Sequence, residues 1–397
     1  MKKVGLYIPH LSNGGAERVV SRLSYILQDY YEVYIILNED SIKYDVFCEV
    51  INLKMPAQPS VIKKVFLPIC RARKLKNIKQ KYQLECMISF LTSANIVNAL
   101  SDTRNTSTIL SVRNFSELEK NKSKISKMKN FLMKFLYKKA DYVVPVSLAL
   151  ENSLIENYNI PPNKIKTIYN PYDIEEISKL AKADIENVEH ANFLKSGKVF
   201  VTVGRLTYQK GYWHLIKAFS MLPTDCDAKL LIIGIGEDHP KIEQLIKKLN
   251  IEEKVLFTGY QKNPFSYVSR CYAYVLASLF EGFPNAMVEA MACKCPVVAA
   301  DCKSGPREIL FRDVDLKRKI SDKECADFGI IVPALSLKES WDAKLLNNTN
   351  EEYLAGAMIM LLENENLRNE LSEKAYKRVK LFNYEVCRNN YIKVIEK

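Results

Sequence analysis

The sequence predicts an α/β protein made of two consecutive doubly wound domains. Three observations carry this. Short apolar strands alternate with helical patterns through the first half, the mark of a parallel sheet covered by helices. The pattern fades after residue 175 and restarts at Lys198. The length, 397 residues, suits two domains of ordinary size. The expected division is a first domain at 1–175, a linker at 176–196, a second domain at 197–380 and a closing helix at 381–397.

Taken in order, residues 2–9 alternate and stop at Pro9-His10, a first strand. Gly14-Gly15 follow, then a helix with Val19, Val20, Leu23, Ile26 and Leu27 on one face, then a strand at 33–37. Two glycines at a strand-to-helix turn let backbone approach a ligand closely. They are not a dinucleotide fingerprint, because the third glycine is missing. Further strands are expected at 49–53, 86–91, 108–112, 142–146 and 164–169. The stretch from Ile174 to about Lys195 has weak periodicity and mixed charge and reads as the connection.

The second half opens with a strand at 198–203 and Gly204-Arg205-Leu206, then a helix from about Gly211 to Met221. Strands at 229–233 and 255–257 end in Gly234-Ile235-Gly236-Glu237 and Thr258-Gly259. Next comes the most informative stretch. The apolar runs 274–278 and 296–300 read as buried strands, and Glu281-Gly282-Phe283-Pro284-Asn285 through Glu289 lies between them. Pro284 suits the first turn of a helix, where a missing N–H costs nothing. The unit is βαβ, with its loop at the carboxyl end of a strand, where open α/β sheets bind ligands. Glu281 falls in the loop and Glu289 in the second helical turn. Taken singly, each reads as an ordinary solvated charge. Glu289 is flanked by Met287, Val288, Ala290 and Met291, however, and a carboxylate in apolar surroundings needs a partner. A strand at 329–332 and helices at about 351–362, 367–381 and 384–395 complete the chain.

Composition narrows the function classes. Hydrophobic residues make up 48% and charged residues 26%, which supports large cores and argues against global disorder. The net charge of +12 permits an anionic partner, whether nucleic acid, membrane surface or phosphorylated ligand. No aromatic stacking motif accompanies the charge, so nucleic acid is not expected. No run approaches the length of a membrane span, and Met1-Lys2-Lys3 with its short apolar strand does not make a signal peptide. The ten cysteines are scattered, without zinc-site spacing, and read as reduced core thiols of a cytoplasmic protein.

Arg205 and Lys210 follow the first strand of the second half. Arg offers a planar fork for phosphate and Lys a point charge. Two fixed cations at a strand end could neutralise a departing diphosphate without a metal. A basic loop is usually just solvated, but Gly204, Gly211, Gly234, Gly236, Gly259 and Gly282 all fall at or after strand ends, which a parallel sheet would gather along one edge.

These motifs together, Gly204-Arg205-Leu206 with Gln209-Lys210-Gly211, Gly234-Ile235-Gly236-Glu237, and Glu281 through Glu289, resemble glycosyltransferase family 4. Asn13-Gly14-Gly15-Ala16-Glu17 looks like that family's amino-terminal glycine loop. The motif-rich match spans about residues 198–310. The resemblance implies the GT-B fold, two Rossmann-like domains facing a cleft, with the closing helix crossing back to the first domain. It implies retaining transfer of a hexose or N-acetylhexosamine from a nucleotide-diphosphate sugar, with a UDP-sugar favoured, and no further cofactor. Residue by residue, Arg205 and Lys210 would hold the diphosphate and Glu289 the ribose hydroxyls. Glu281 would touch the donor sugar, beside the backbone of Gly282, Phe283, Pro284 and Asn285. Gly204, Gly234 and Gly236 would line the donor site, and Gly15 would let the first domain approach. Fixed charges aimed at the developing oxocarbenium and diphosphate would lower the barrier.

The chain departs from the family at Lys294, where glycine is usual, so a positive φ there would strain the lysine. On the acceptor side the candidates are His10, Arg113 and Asn114, while His214 reads as structural. Asp225-Cys226-Asp227 and Asp313-Val314-Asp315 have the Asp-x-Asp spacing of metal-dependent transferases of another fold, but both read as solvated turns, so no metal site is expected. An epimerase or hydrolase on the same fold, and a non-catalytic partner subunit, remain alternative readings. The last expectation comes from charge. Residues 54–84 contain no acidic residue and many cations, including Lys63, Lys64, Arg73 and Lys76. Residues 120–139 form a second basic run with Ile125, Met128, Leu132, Phe135 and Leu136 at helical spacing. An ordinary helix with an apolar core face accounts for the spacing, not for so one-sided a charge. Peripheral binding to an anionic inner membrane, with a polyprenyl-diphosphate-linked or other glycan acceptor, is expected.

Overall fold

The computed structural model describes residues 1–12, 14–57, 61–103, 105–114, 124–343 and 349–397, and the side chains of all of these except 61–65, 124–131 and 349. Asn13 of the glycine loop and Lys120 of the second basic run therefore lie outside the described residues. So do the side chains of Lys63, Lys64, Lys124, Ile125, Lys127 and Met128. The chain divides into two units, Met1–Pro171 with Phe382–Lys397, and Tyr172–Leu381.

In the first unit, β1 (Lys3–Tyr7), β2 (Glu32–Leu37), β3 (Glu49–Asn52), β4 (Cys86–Phe90), β5 (Ser107–Val112) and β6 (Tyr142–Pro145) form one sheet in the order β3-β2-β1-β4-β5-β6. Every pair is parallel. The strands are nearly continuous apolar runs because helices cover both faces. On one face, Leu6 and Ile88 pack with Val19, Leu23 and Leu27 of helix Gly15–Leu27 and with Cys387, Tyr391 and Val394 of helix Tyr384–Ile395. On the other, Tyr7 and Met87 pack with Ala72 and Leu75 of helix Val61–Lys81 and with Ala94 and Val97 of helix Thr92–Leu100. Helix Lys124–Lys139 lies next to Thr92–Leu100 on that face. A buried polar network fixes it there, with Asn95 Nδ2 donating to Ser111 O at 2.9 Å and to Tyr137 Oη at 3.3 Å.

The second unit repeats the plan. β7 (Lys198–Val203), β8 (Ala228–Ile233), β9 (Val255–Gly259), β10 (Ala273–Leu276), β11 (Val297–Ala300), β12 (Glu324–Ala326) and β13 (Gly329–Val332) run in the order β12-β13-β11-β10-β7-β8-β9. All pairs are parallel except the β12–β13 edge. The core beneath is centred on Phe200, Trp213, Ile216, Val275 and Leu354.

Some expectations need correcting. The strand expected at 164–169 is only a bridge from Ile165 to Val143, because this proline-bounded segment bonds along β6 on one side, through Lys166 N to Val143 O at 3.2 Å and Ile168 N to Pro145 O at 3.0 Å. The stretch expected as a linker contains helices Ile174–Leu180 and Val188–Lys195, each with an N-cap side chain, Asp173 and Asn187, and both lie in the second unit. Strand β12 has no counterpart in the sequence reading, since three residues inside a charged loop give no periodicity. Leu132 and Phe135, placed on the apolar face by their spacing, are exposed, while Met133, Leu136 and Tyr137 are buried.

Candidate functional site

The strand order of the second sheet turns at β7, which has β8 on one side and β10 on the other. The loops leaving β7 and β10 at their carboxyl ends therefore diverge around a switch point, the place where such sheets bind ligands. Lys210 stands in the first loop and Glu281 in the second, and they meet there, Lys210 Nζ to Glu281 Oε1 at 2.7 Å. Glu281 is buried and Lys210 is mostly so. Gln209 ties the loops together, donating from Nε2 to Phe280 O at 2.8 Å and to Glu281 Oε2 at 3.3 Å, while Leu279 N donates to Gln209 O at 2.9 Å.

Two glycines make this closeness possible. Gly211 ends the Lys210 turn at φ +59°, and a Cβ there would lie 2.2 Å from Ala277 O. Gly234, after β8, has φ +147°, and a Cβ there would lie 1.9 Å from Gly204 O. Gly204 and Gly236 flank the same crossing, with Gly204 N bonded to Ile233 O and Leu206 N to Ile235 O, both at 3.0 Å. Arg205 is exposed at this edge, and its guanidinium makes no hydrogen bond among the described residues.

The β10 loop leads through buried Gly282, Phe283 and Pro284 into helix Asn285–Ala292. Pro284 is the N-cap rather than the first helical residue, one position earlier than its sequence role suggested. Asn285 Oδ1 accepts from Tyr172 Oη at 2.5 Å, and Ser304 Oγ, after β11, donates to Gly282 O at 2.7 Å, so both sides of the loop are held. Glu289 is buried on that helix, 6% exposed. Burial, and then the nearby Glu281 and Glu289 charges, push the Tyr274 hydroxyl well above its ordinary range. Cys302 and Cys293 are pushed up chiefly by burial as well, so neither thiol offers a nucleophile near the site. All ten cysteines are free. The edge thus gathers a paired lysine and carboxylate, an open guanidinium and a buried helical carboxylate around close-packed backbone, a set that can hold phosphate and hydroxyl groups together.

The other candidates are placed elsewhere. In the first unit, His10 Nδ1 lies 2.7 Å from Ser12 Oγ and 3.6 Å from Glu17 Oε1, beside the exposed Gly15 that begins its helix. Arg113 bonds Asn170 Oδ1 and, at 3.4 Å, Ser111 Oγ, and Asn114 follows it, half-buried. His214 is buried, with Nδ1 2.8 Å from Glu351 Oε1 and Nε2 2.9 Å from Ser336 O, a structural tie to helix Thr349–Glu363. Lys294 has φ +56°. Asp225 and Asp227 sit in the turn before β8. Asp315 Oδ1 accepts from the amides of Lys317 and Arg318. Sequence reasoning missed Gln209 as the clamp and Ser304 as the brace, since their partners are distant in sequence.

Comparison with known proteins supplies the class and the family. The fold is GT-B. Over the whole chain it is similar to HepE of Anabaena solved with UDP, with a TM-score of 0.75, 18% identity and 100% of both chains covered. It is likewise similar to sucrose-phosphate synthase of Thermosynechococcus elongatus, with a TM-score of 0.76, 19% identity, and 100% and 98% covered. Residues 13–176 match the family model Glycosyltransferase Family 4, and residues 184–315 match Glycosyl transferases group 1. A Campylobacter jejuni enzyme, N-acetylgalactosamine-N,N'-diacetylbacillosaminyl-diphospho-undecaprenol 4-alpha-N-acetylgalactosaminyltransferase, is 33% identical over 96% of each chain. The chain belongs to this glycosyltransferase family and is a glycosyltransferase.

Proposed function

We propose that the protein is a retaining, metal-independent transferase. It moves a hexose or N-acetylhexosamine from a UDP-sugar to a polyprenyl-diphosphate-linked or other glycan acceptor, in surface polysaccharide assembly at the inner face of the cytoplasmic membrane. The observation that carries this is the Lys210–Glu281 pair at the switch point, with Arg205 exposed on the same edge. Leaving-group charge would fall on Lys210 and Arg205, and charge on the donor sugar would face Glu281. Glu289 would accept from ribose hydroxyls, and the backbone at Gly282–Asn285 would border the sugar. Gly204, Gly234 and Gly236 would line the donor site, their missing side chains letting the loops after β7 and β8 pack closely. His10, Arg113 and Asn114 are the acceptor-side candidates. The UDP bound by HepE and the diphospho-undecaprenol acceptor of the Campylobacter relative support the choice of donor and acceptor classes.

Two measurements test it. Transfer from UDP-sugars should survive EDTA, and complete loss with rescue by Mn²⁺ would overturn metal independence. In calorimetry with UDP, Glu289→Ala should lose roughly 1.5–3 kcal/mol of affinity, the worth of hydrogen bonds to a charged acceptor. Glu281→Ala should lose turnover more than nucleotide affinity. Unchanged UDP affinity in Glu289→Ala contradicts the assignment, and product formation without any acceptor would make the protein a hydrolase or epimerase.

A further inference from the structure

One face of the first unit is built from helices Val61–Lys81, Thr92–Leu100 and Lys124–Lys139, side by side with Thr92–Leu100 in the middle. These three helices contain fourteen lysines and arginines, of which Arg71 and Lys79 are buried, and no aspartate or glutamate. All the cations lie on the two outer helices, and the middle one is uncharged. The flanking carboxylates, Asp102 and Asp141, come after the ends of the middle and last helices, beyond the face.

The charge is only half of the pattern. Phe66 is 59% exposed, Phe135 54%, and Ile69, Leu100 and Leu132 are each above 40%. They stand on all three helices, and on Val61–Lys81 the exposed Phe66 and Ile69 share a stripe with the exposed Arg73 and Lys76. Lys139 Nζ lies over the Phe135 ring at 4.6 Å, so cation and aromatic share one patch of surface. Exposed apolar side chains occur elsewhere on the chain, Val188 and Ile235 among them, but on these helices they coincide with a one-sided run of cations. A second copy of the chain would set like charges against each other. A nucleic acid would use the cations but gives no role to Ile69, Leu100 and Leu132.

We propose that this three-helix face seats the protein on an anionic bilayer, with Phe66, Ile69, Leu132 and Phe135 entering the headgroup region and the flanking lysines and arginine engaging lipid phosphates. This deepens the proposed membrane-anchored acceptor by giving the contact an apolar component that charge alone does not have. Electrostatic attraction fades with salt and apolar burial does not.

The test is co-sedimentation of the full chain with vesicles of equimolar phosphatidylglycerol and phosphatidylcholine, against phosphatidylcholine alone. Each is run at low salt and at about 1 M, where the Debye length is about 3 Å. The wild type should pellet with the anionic vesicles and keep a residual bound fraction at high salt. The double variant Phe66→Ser, Phe135→Ser should bind about tenfold or more weakly at low salt and leave no residual fraction. Lys138→Glu with Lys139→Glu should weaken the low-salt binding. Complete release of the wild type by salt, or an unchanged Phe66→Ser, Phe135→Ser variant, overturns insertion and fits a polyanion site instead. Equal pelleting with both vesicles overturns the role of charge, and no pelleting at low salt overturns the face as a docking surface. The Phe66→Ser, Phe135→Ser variant should keep full transfer to an acceptor dispersed in detergent. If the wild type transfers only to an acceptor that has no lipid, the acceptor reading fails while the vesicle result still stands.

Discussion

Lys210 and Glu281 are 71 residues apart in sequence and 2.7 Å apart in space. Each was legible singly as a candidate, because each follows an apolar run within a motif. Their pairing was not, since nothing local specifies which two strand ends become neighbours. The pairing alters what a mutation means. On the proposed function, Lys210→Ala removes a cation aimed at a developing anion, an expected loss of about 10²–10³ in rate. It also strands a buried carboxylate, and breaking such a pair costs roughly 3–5 kcal/mol. We therefore expect the variant to be both slow and less stable, with double Lys210→Ala, Glu281→Gln recovering stability and not rate. Urea melts together with initial rates decide this, and a Lys210→Ala variant as stable as wild type would count against the buried pair. Lys294 makes a smaller point. The departure from glycine was visible in the sequence and its backbone is left-handed, at φ +56°. That conformation costs a residue with a side chain about 1–2 kcal/mol. The exposed pair with Glu373 at 2.7 Å returns little of it. Lys294→Gly should raise stability by up to about 1 kcal/mol after the entropy of the freer unfolded glycine is counted, and a lower urea midpoint would show the strain to be absent.

Long periodic elements were the most legible. The helices beginning at Gly15 and Tyr212 carry five or more apolar residues at the expected spacing and formed where the pattern put them. Helix Lys124–Lys139 was found, but its inner face was not, because Leu132, Met133, Phe135 and Leu136 offer two apolar stripes and only burial chooses between them. Helix Val61–Lys81 hides a further case. Its Lys79 reads as one more surface cation, yet it is buried, with Nζ 3.3 Å from Ser101 O at the end of the neighbouring helix. Burial pushes its pKa down to about 8, outweighing the nearby Asp102 charge, which pulls it the other way. Between pH 8 and the ordinary lysine range near 10.4, the folded chain therefore holds fewer protons at this site than the unfolded one. The site's penalty is full below pH 8 and is relieved as pH rises through that window. Lys79→Met should be more stable than wild type at pH 7, and its advantage should shrink toward pH 9.5. Parallel urea melts at both pH values measure it, and an advantage independent of pH would mean the lysine titrates normally.

At the scale of the molecule, the two-domain plan was readable from the repeated strand–helix alternation, and the boundaries were less so. Residues 176–196 looked like a connection because short capped helices with exposed outer faces have little periodicity. The chain passes between its two units twice, after Pro171 and after Leu381. Its last segment completes the first unit, with Cys387, Tyr391, Val394 and Ile395 buried against the helix and strands of residues 4–37. Lys2 Nζ donates to Ile395 O at 2.6 Å, and Tyr31 Oη to Glu396 Oε1 at 2.8 Å.

That last segment sets the order of events during synthesis. Domains generally fold as they leave the ribosome, the amino-terminal one first. Here the unit translated first cannot close its core until residues 382–397 have emerged, whereas residues 172–381 hold everything their own unit contains. Vectorial folding is thus inverted, with the later unit able to finish before the earlier one. A released chain truncated after Leu381 should display a protease-resistant second unit and a first unit that is cut readily, and limited proteolysis of that truncated chain would reveal it. Equal resistance of both units at that length would mean the final helix is an ornament to a core already formed.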